Sequence, residues 1–189
     1  MMRLFAAINL PKAERERIHA AAAPLRESGM PVRWLPVDSF HLTLKFLGEV
    51  RPDAVDSIKD VTDRVSKGTH AFDLDLGGFG AFPTIRRPRV IWVGVDPSPA
   101  LRCLKQDLEW ALADLGFARE TRAFHPHITL GRAEEGEGAG AFRGLDELAA
   151  SLSYTGDVPA HQVDLMRSQL SRSGARYTVV HESLLAGAE

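Results

Sequence analysis

The sequence predicts two similar lobes of mixed helices and strands that face each other across a cleft. Three observations carry that expectation. The pattern His-x-Thr-Leu occurs twice, as His41-Leu42-Thr43-Leu44 and His127-Ile128-Thr129-Leu130, with the histidines 86 residues apart. Each copy opens an apolar run with strand character. Each half of the chain also reads in the same order: helix, motif strand, helix, strand, strand. Outside the motifs the halves share little sequence, so the repeat rests on element order.

The elements follow in turn. Residues 3–9 read as a first strand, and Pro11 suits the first turn of a helix running to about residue 28, which Pro24 kinks or ends early. The first motif strand is expected near 38–47. Arg51, Pro52 and Asp53 open a second helix, whose Ala54, Val55, Ile58, Val61 and Val65 recur at helical spacing. Residues 72–76 alternate as a half-buried strand, and the Gly- and Pro-rich stretch 77–83 reads as a turn. The β-branched apolar run 90–95 predicts a buried central strand. Pro99 opens a third helix with Leu101, Leu104, Leu108, Leu112 and Leu115 inward and Gly116 as its stop. The second motif strand is expected near 123–132 and an exposed acidic, Gly-rich loop at 134–140. A short helix near 144–152 and strands near 161–170 and 175–183 finish the chain.

Side chains at i and i+2 of a strand share a face. His41 and Thr43 therefore share one face and Leu42 and Leu44 the other; His127 and Thr129 are likewise set against Ile128 and Leu130. Each motif strand offers an imidazole and a hydroxyl on one side and anchors itself in a core with the other. Two such strands facing each other supply two groups that titrate near neutrality and two hydroxyls able to hold an anion.

Composition narrows the alternatives. The chain has 189 residues, 44% hydrophobic and 25% charged, the ordinary globular balance for one domain or for two lobes on one core. No apolar run reaches the roughly 18 residues a membrane span needs, and the apolar start is too short for a signal peptide. One cysteine, Cys103, excludes an internal disulfide and a cysteine-rich zinc site. The expected location is cytoplasmic. A formal net charge of −2 argues against a broad grip on duplex nucleic acid, though not against a local site for one phosphate.

The chain resembles the two-histidine (2H) phosphoesterase superfamily, and within it the LigT-like RNA 2′,3′-cyclic phosphodiesterases, also known as 2′-5′ RNA ligases. The residues carrying the resemblance run from His41 to Gly48 (His-Leu-Thr-Leu-Lys-Phe-Leu-Gly) and from Pro126 to Arg132 (Pro-His-Ile-Thr-Leu-Gly-Arg). Supporting context lies in the N-terminal strand, in the stretch Arg87 to Gly94, and in Leu165 to Ser168 with Gly174 to Tyr177. The resemblance spans essentially the whole chain. It implies a bilobal α+β fold with pseudo-twofold symmetry, antiparallel sheets lining a central cleft and helices outside, with residues 1–189 forming a single catalytic domain. It also implies hydrolysis of a 2′,3′-cyclic phosphate at an RNA or oligonucleotide end to a 2′-phosphate, with no metal and no cofactor. His41 is then the proton donor and His127 the proton acceptor, roles that the symmetry of the motifs does not by itself distinguish. Thr43, Thr129 and Arg132 are expected to bind the substrate phosphate. A monomer with no membrane partner is expected.

Alternatives stay open at this level: 2′-5′ ligation, cleavage of another cyclic or 2′-5′ nucleotide, a non-catalytic RNA-end binder, or a three-histidine metallohydrolase. The last arises because His125 and His127 have a zinc-ligand spacing and His41 offers a third nitrogen; Pro126 disturbs the strand there, so His125 reads as a cleft-rim or exposed residue. Lys45 shares the His41 face by parity. Arg86, Arg87 and Arg89 cluster beside a turn where they can meet an RNA backbone. Phe82 or Trp92 can stack on a base. His19, His70, His161 and His181 lack motif context.

Overall fold

The computed structural model describes residues 1–188. Its strands are β1 (Met2–Asn9), β2 (Val32–Trp34), β3 (His41–Val50), β4 (Phe72–Pro83), β5 (Pro88–Val95), β6 (His127–Ala133), β7 (Thr155–Ala160), β8 (Gln162–Ser171) and β9 (Gly174–Leu184). The α-helices are α1 (Lys12–Ala21), α2 (Ala23–Glu27), α3 (Val55–Lys67), α4 (Pro99–Ala113) and α5 (Leu145–Ser151). The break between α1 and α2 falls where Pro24 enters the chain, as the missing amide of a proline requires.

The strands form one antiparallel sheet in the order β7-β4-β5-β6-β3-β1-β8-β9, with β2 added to β6. The motif strands are its two central members. They meet at a single pair, Leu42 opposite Ile128, so the sheet is a five-stranded half (β7, β4, β5, β6 and β2) and a four-stranded half (β3, β1, β8 and β9) joined at a narrow seam. Each half of the chain sends a later strand to the other lobe: β4 pairs with β5, and β8 returns to pair with β1. The fold is α+β, with α3 packed against α4, β8 and β9, and α5 against β4.

The hydrophobic core lies on the helix side of the sheet. Leu42, Leu44, Ile128 and Leu130 are all at most 2% exposed there, so the alternation read from the motifs holds. Helix α3 buries Val55, Ile58 and Val61, and α4 buries Leu101, Leu104, Leu108 and Leu112. The opposite face carries a small cluster of Phe5, Ala7 and Met166 with Tyr177 against it, and faces a cleft.

Four expectations need correction. The stretch 77–83 is no turn, because β4 runs on to Pro83 and turns after it. Its glycines serve the strand: the register shifts between Leu76 and Phe79, and a Cβ at Gly80 would collide with the Trp92 ring. Leu115 lies beyond the end of α4 and is exposed, because the apolar stripe stops when the helix does. Residues 123–126 precede the second motif strand instead of forming it, since Pro126 cannot supply a ladder donor. Strands β2 and β7 add to the expected set. The first is three residues long, and the second is an edge strand carrying Pro159, a residue tolerated at edges.

Candidate active site

The cleft face of β3 and β6 brings the predicted residues together. His41, Thr43, His127, Thr129 and Arg132 line one cavity of about 1430 Å³, with Phe5, Phe46, Phe82 and Tyr177 among its walls. All four motif side chains are half-buried.

The two histidines are held alike. His41 Nδ1 lies 2.7 Å from the Ser39 carbonyl, and His127 Nδ1 lies 2.7 Å from the His125 carbonyl. A carbonyl only accepts, so each Nδ1 carries the hydrogen and donates it. Each Nε2 can then accept a proton when the ring is neutral and donate one when it is charged. Both anchors stand two residues before their histidine, on the chain that enters the strand. Aromatic rings wall in both imidazoles. Phe5 and Tyr177 sit 4.9 Å and 5.1 Å from the His41 ring, and Phe82 meets the His127 ring edge-on at 4.9 Å.

Arg132 reaches this face through a β-bulge. By strict alternation from Thr129 it belongs on the core side. The pairing of β6 with β5 instead slips by one residue, with Trp92 opposite Thr129 and Ile91 opposite Gly131. Leu130 and Gly131 are both buried toward the core, and Arg132 returns to the cleft. The first motif does the same: Ala7 pairs with Thr43 and Ala6 with Lys45, leaving Leu44 as the extra residue. That bulge overturns the placement of Lys45 on the His41 face. Lys45 is 2% exposed on the core side, donating to Glu109 Oε2 at 2.6 Å and to the Ala118 carbonyl at 2.5 Å. Phe46, 59% exposed, takes the cleft position instead, so five residues after the histidine one strand presents Phe46 and the other Arg132.

Electrostatics follow from burial and from Arg132. Burial pulls His41 below the ordinary imidazole value; the Ser39 carbonyl opposes this, and the charges of Arg132 and His127 add to it. His127 is lowered in the same way, first by burial, with the His125 carbonyl opposing and the Arg132 and His125 charges adding to the fall. Thr43 Oγ1 lies 3.1 Å from His41 Nε2.

The remaining candidates sort themselves. His125 is an exposed residue at the cleft rim, and its useful part is the carbonyl that holds His127. Among the described residues no three His, Cys, Asp or Glu side chains converge as a ligand set, so the three-histidine arrangement does not assemble. Phe82 lines the cleft, while Trp92 packs over Gly80. His181 pairs with Asp63 at 2.8 Å, away from the motif strands. Sequence reasoning missed Ser39, Phe5 and Arg33. A carbonyl anchor leaves no side-chain signal, Phe5 reads as an ordinary strand residue, and Arg33 sits on a strand too short to detect.

A family model described as LigT like Phosphoesterase matches this chain twice, over residues 8–92 and 93–177, so the internal repeat is visible to the family pattern itself. An RNA 2′,3′-cyclic phosphodiesterase of Aeropyrum pernix is 36% identical over 170 residues, covering 85% of this chain and 92% of the relative. A solved protein of Thermus thermophilus superposes with a TM-score of 0.82 at 26% identity, covering 100% of both chains. Escherichia coli LigT, solved with 3′-AMP, superposes at 0.75 with 30% identity over 97% of this chain and 98% of that one.

Proposed function

We propose, for a chain that belongs to the LigT-like phosphoesterases, the hydrolysis of 2′,3′-cyclic phosphate ends of RNA to 2′-phosphate. The observation that carries this reading is the matched pair of 2.7 Å anchors, which turn both Nε2 atoms to the cleft beside Arg132 and two hydroxyls, that of His41 in contact with Thr43 Oγ1 at 3.1 Å. Its relatives named RNA 2′,3′-cyclic phosphodiesterase support the same chemistry.

The step is an in-line displacement at phosphorus. His127 Nε2 takes a proton from water as its oxygen bonds to phosphorus. The bond to the 3′ oxygen breaks, and His41 Nε2–H protonates that oxygen as it departs. The product keeps the 2′ ester and has a free 3′-hydroxyl. Thr43 and Thr129 donate to the non-bridging oxygens, and Arg132 pairs with the charge they carry. Because burial and Arg132 hold both imidazoles low, the neutral base is readily available; an arriving phosphate anion favours the protonated form of its acid partner. Each lobe supplies one histidine and one threonine, so we take both lobes as one catalytic domain and a monomer as sufficient. Among the described residues no helix is long and apolar enough to cross a membrane. Its one cysteine is exposed and unpaired, which fits the reducing cytoplasm.

The test is incubation with a short RNA ending in a 2′,3′-cyclic phosphate, followed by analysis of the product end groups, with and without EDTA. A 2′-phosphate with a free 3′-hydroxyl, formed equally in EDTA, is the expected result. A 3′-phosphate product, or loss on chelation with recovery on added zinc, overturns the mechanism.

A further inference from the structure

We propose that an arginine-lined subsite beside the cleft holds the sugar-phosphate backbone upstream of the cyclic end, so that RNA strands are preferred to mononucleotides. The proposal rests on the reading of the cleft given above.

A second cavity of about 1120 Å³ is lined by Arg33, Arg86, Arg87, Arg89 and Arg132. Arg33, Arg89 and Arg132 also line the catalytic cleft, so the two spaces adjoin along these three side chains. The cleft alone exceeds the roughly 300–1,000 Å³ typical of small-molecule sites, and the second cavity extends it along one direction. All five arginines are exposed. The protein carries a net charge of −2, so this is a local concentration of positive charge and not a general property of the surface.

These guanidiniums are also unengaged. Arg17 pairs with Glu14, Arg51 with Asp53, and Arg15 and Arg26 donate to backbone carbonyls. Among the described residues none of the five cavity arginines has a side-chain hydrogen bond or ion pair, although Glu134, Glu135 and Glu137 border the same cavity.

Register adds a stronger argument. Arg33 on β2 stands directly opposite Arg132 on β6. Opposed residues of an antiparallel pair share a face with their Cβ atoms about 4.5–5.5 Å apart, and like charges there are destabilising. A phosphate between two such cations turns that cost into attraction. The terminal cyclic phosphate at Arg132 and the next phosphodiester at Arg33 and Arg89 set a path that leaves the cleft toward Arg86 and Arg87. Glu134, Glu135 and Glu137 in the lining of the same cavity keep the grip local, suited to a short stretch of single strand and not to a duplex.

The experiment compares kcat/KM for a nucleoside 2′,3′-cyclic monophosphate and for a short RNA with the same cyclic end, across a salt series, in wild type and in R86Q/R87Q. Wild type is expected to favour the RNA by about tenfold or more at low salt. The double variant loses most of that preference and keeps mononucleotide turnover within about twofold. The slope of log(kcat/KM) for the RNA against log salt becomes shallower by about 0.7 for each phosphate that the variant leaves unneutralised. Equal rates on the two substrates in wild type, or a variant that keeps the preference and the slope, overturns the subsite. If wild type hydrolyses neither substrate, the catalytic reading fails by itself. The subsite is then judged by fluorescence anisotropy: RNA binding weakened in R86Q/R87Q upholds it, and unchanged binding overturns it.

Discussion

Strands β3 and β6 carry the same tetrapeptide, the same carbonyl anchor on the histidine and the same bulge, yet they part company at the two residues that follow. On β3 the bulge ends in Lys45 and Phe46; on β6 it ends in Gly131 and Arg132. The core sides differ for a packing reason. Under β3, Lys105 Nζ donates to the Leu44 carbonyl at 2.6 Å and shares Glu109 with Lys45, while also reaching Glu120 at 2.8 Å. Under β6 there is no room for such a group: strand β2 lies against the bulge, and a Cβ on Gly131 would come within 2.6 Å of Val32 and 2.8 Å of Trp34. The duplicated part is the carbonyl-anchored imidazole with its neighbouring hydroxyl. The divergent part makes one wall of the cleft aromatic and the other cationic.

The first consequence tests the part that is the same. His41→Ala and His127→Ala should each lower kcat by roughly 10²–10⁴, the usual cost of losing a general acid or base. Since the two act as a unit, the double variant should be little worse than either single one. Near-normal turnover by a folded His127→Ala protein breaks the equivalence of the strands. So does a double variant whose losses multiply.

What was legible in the sequence divides along the same line. Alternation placed His41, Thr43, His127 and Thr129 on one face and Leu42, Leu44, Ile128 and Leu130 on the other, because over four residues the period of two dominates. It failed at Lys45, where one inserted residue reverses every later position. A bulge at Leu44 leaves no mark in composition, whereas Gly131 is at least the kind of strand glycine that signals one. The same ambiguity affects 77–83, where glycine makes space for Trp92 inside a strand. Helices α3 and α4 were readable because apolar spacing over three or more turns outweighs local noise. The carbonyl anchors and the Arg33–Arg132 opposition were not readable, since both arise from pairings or chain turns that no side-chain pattern marks.

The second prediction addresses the β3 bulge. Glu109 has 9% side-chain exposure and sits between two buried ammonium groups. Burial alone would raise its carboxyl, but hydrogen bonds from Lys105 and Lys45 outweigh that and hold it below the ordinary carboxylate range. Removing one partner of a buried pair leaves uncompensated charge, so Glu109→Ala should cost about 3–5 kcal/mol in denaturant unfolding. The sign with pH follows from the depressed value. The stabilisation is complete above the unfolded carboxylate pKa, about 4.3, and is lost as pH falls through the lower folded value. The gap between wild type and Glu109→Gln should therefore narrow in acid. A gap that stays constant into acid means the carboxylate charge is not what holds the bulge.

The smallest effect discriminates most sharply between the two walls. Arg132 lowers the affinity of both histidines for protons, whereas Phe46 in the matching position carries no charge. Removing the guanidinium in Arg132→Gln should weaken phosphate binding and slow turnover by about 10–10³, the range for one missing electrostatic interaction with the transition state. It should also move the whole bell of kcat/KM against pH toward higher pH, because that profile reports the free enzyme and both imidazoles regain basicity together. In wild type both limbs should lie below the ordinary histidine value of about 6.5, since burial and Arg132 act in the same direction on each ring. Phe46→Gln should leave the bell where it is. Its neighbours Phe5 and Tyr177 still wall in His41, and no charge has been removed. If the Phe46 variant shifts the profile as far as the Arg132 variant does, the shift comes from altered burial of the cleft, and the division into an aromatic and a cationic wall has no bearing on proton transfer. If only Arg132→Gln moves it, and moves both limbs, then one arginine on one strand adds to burial in tuning the working pH of histidines on two.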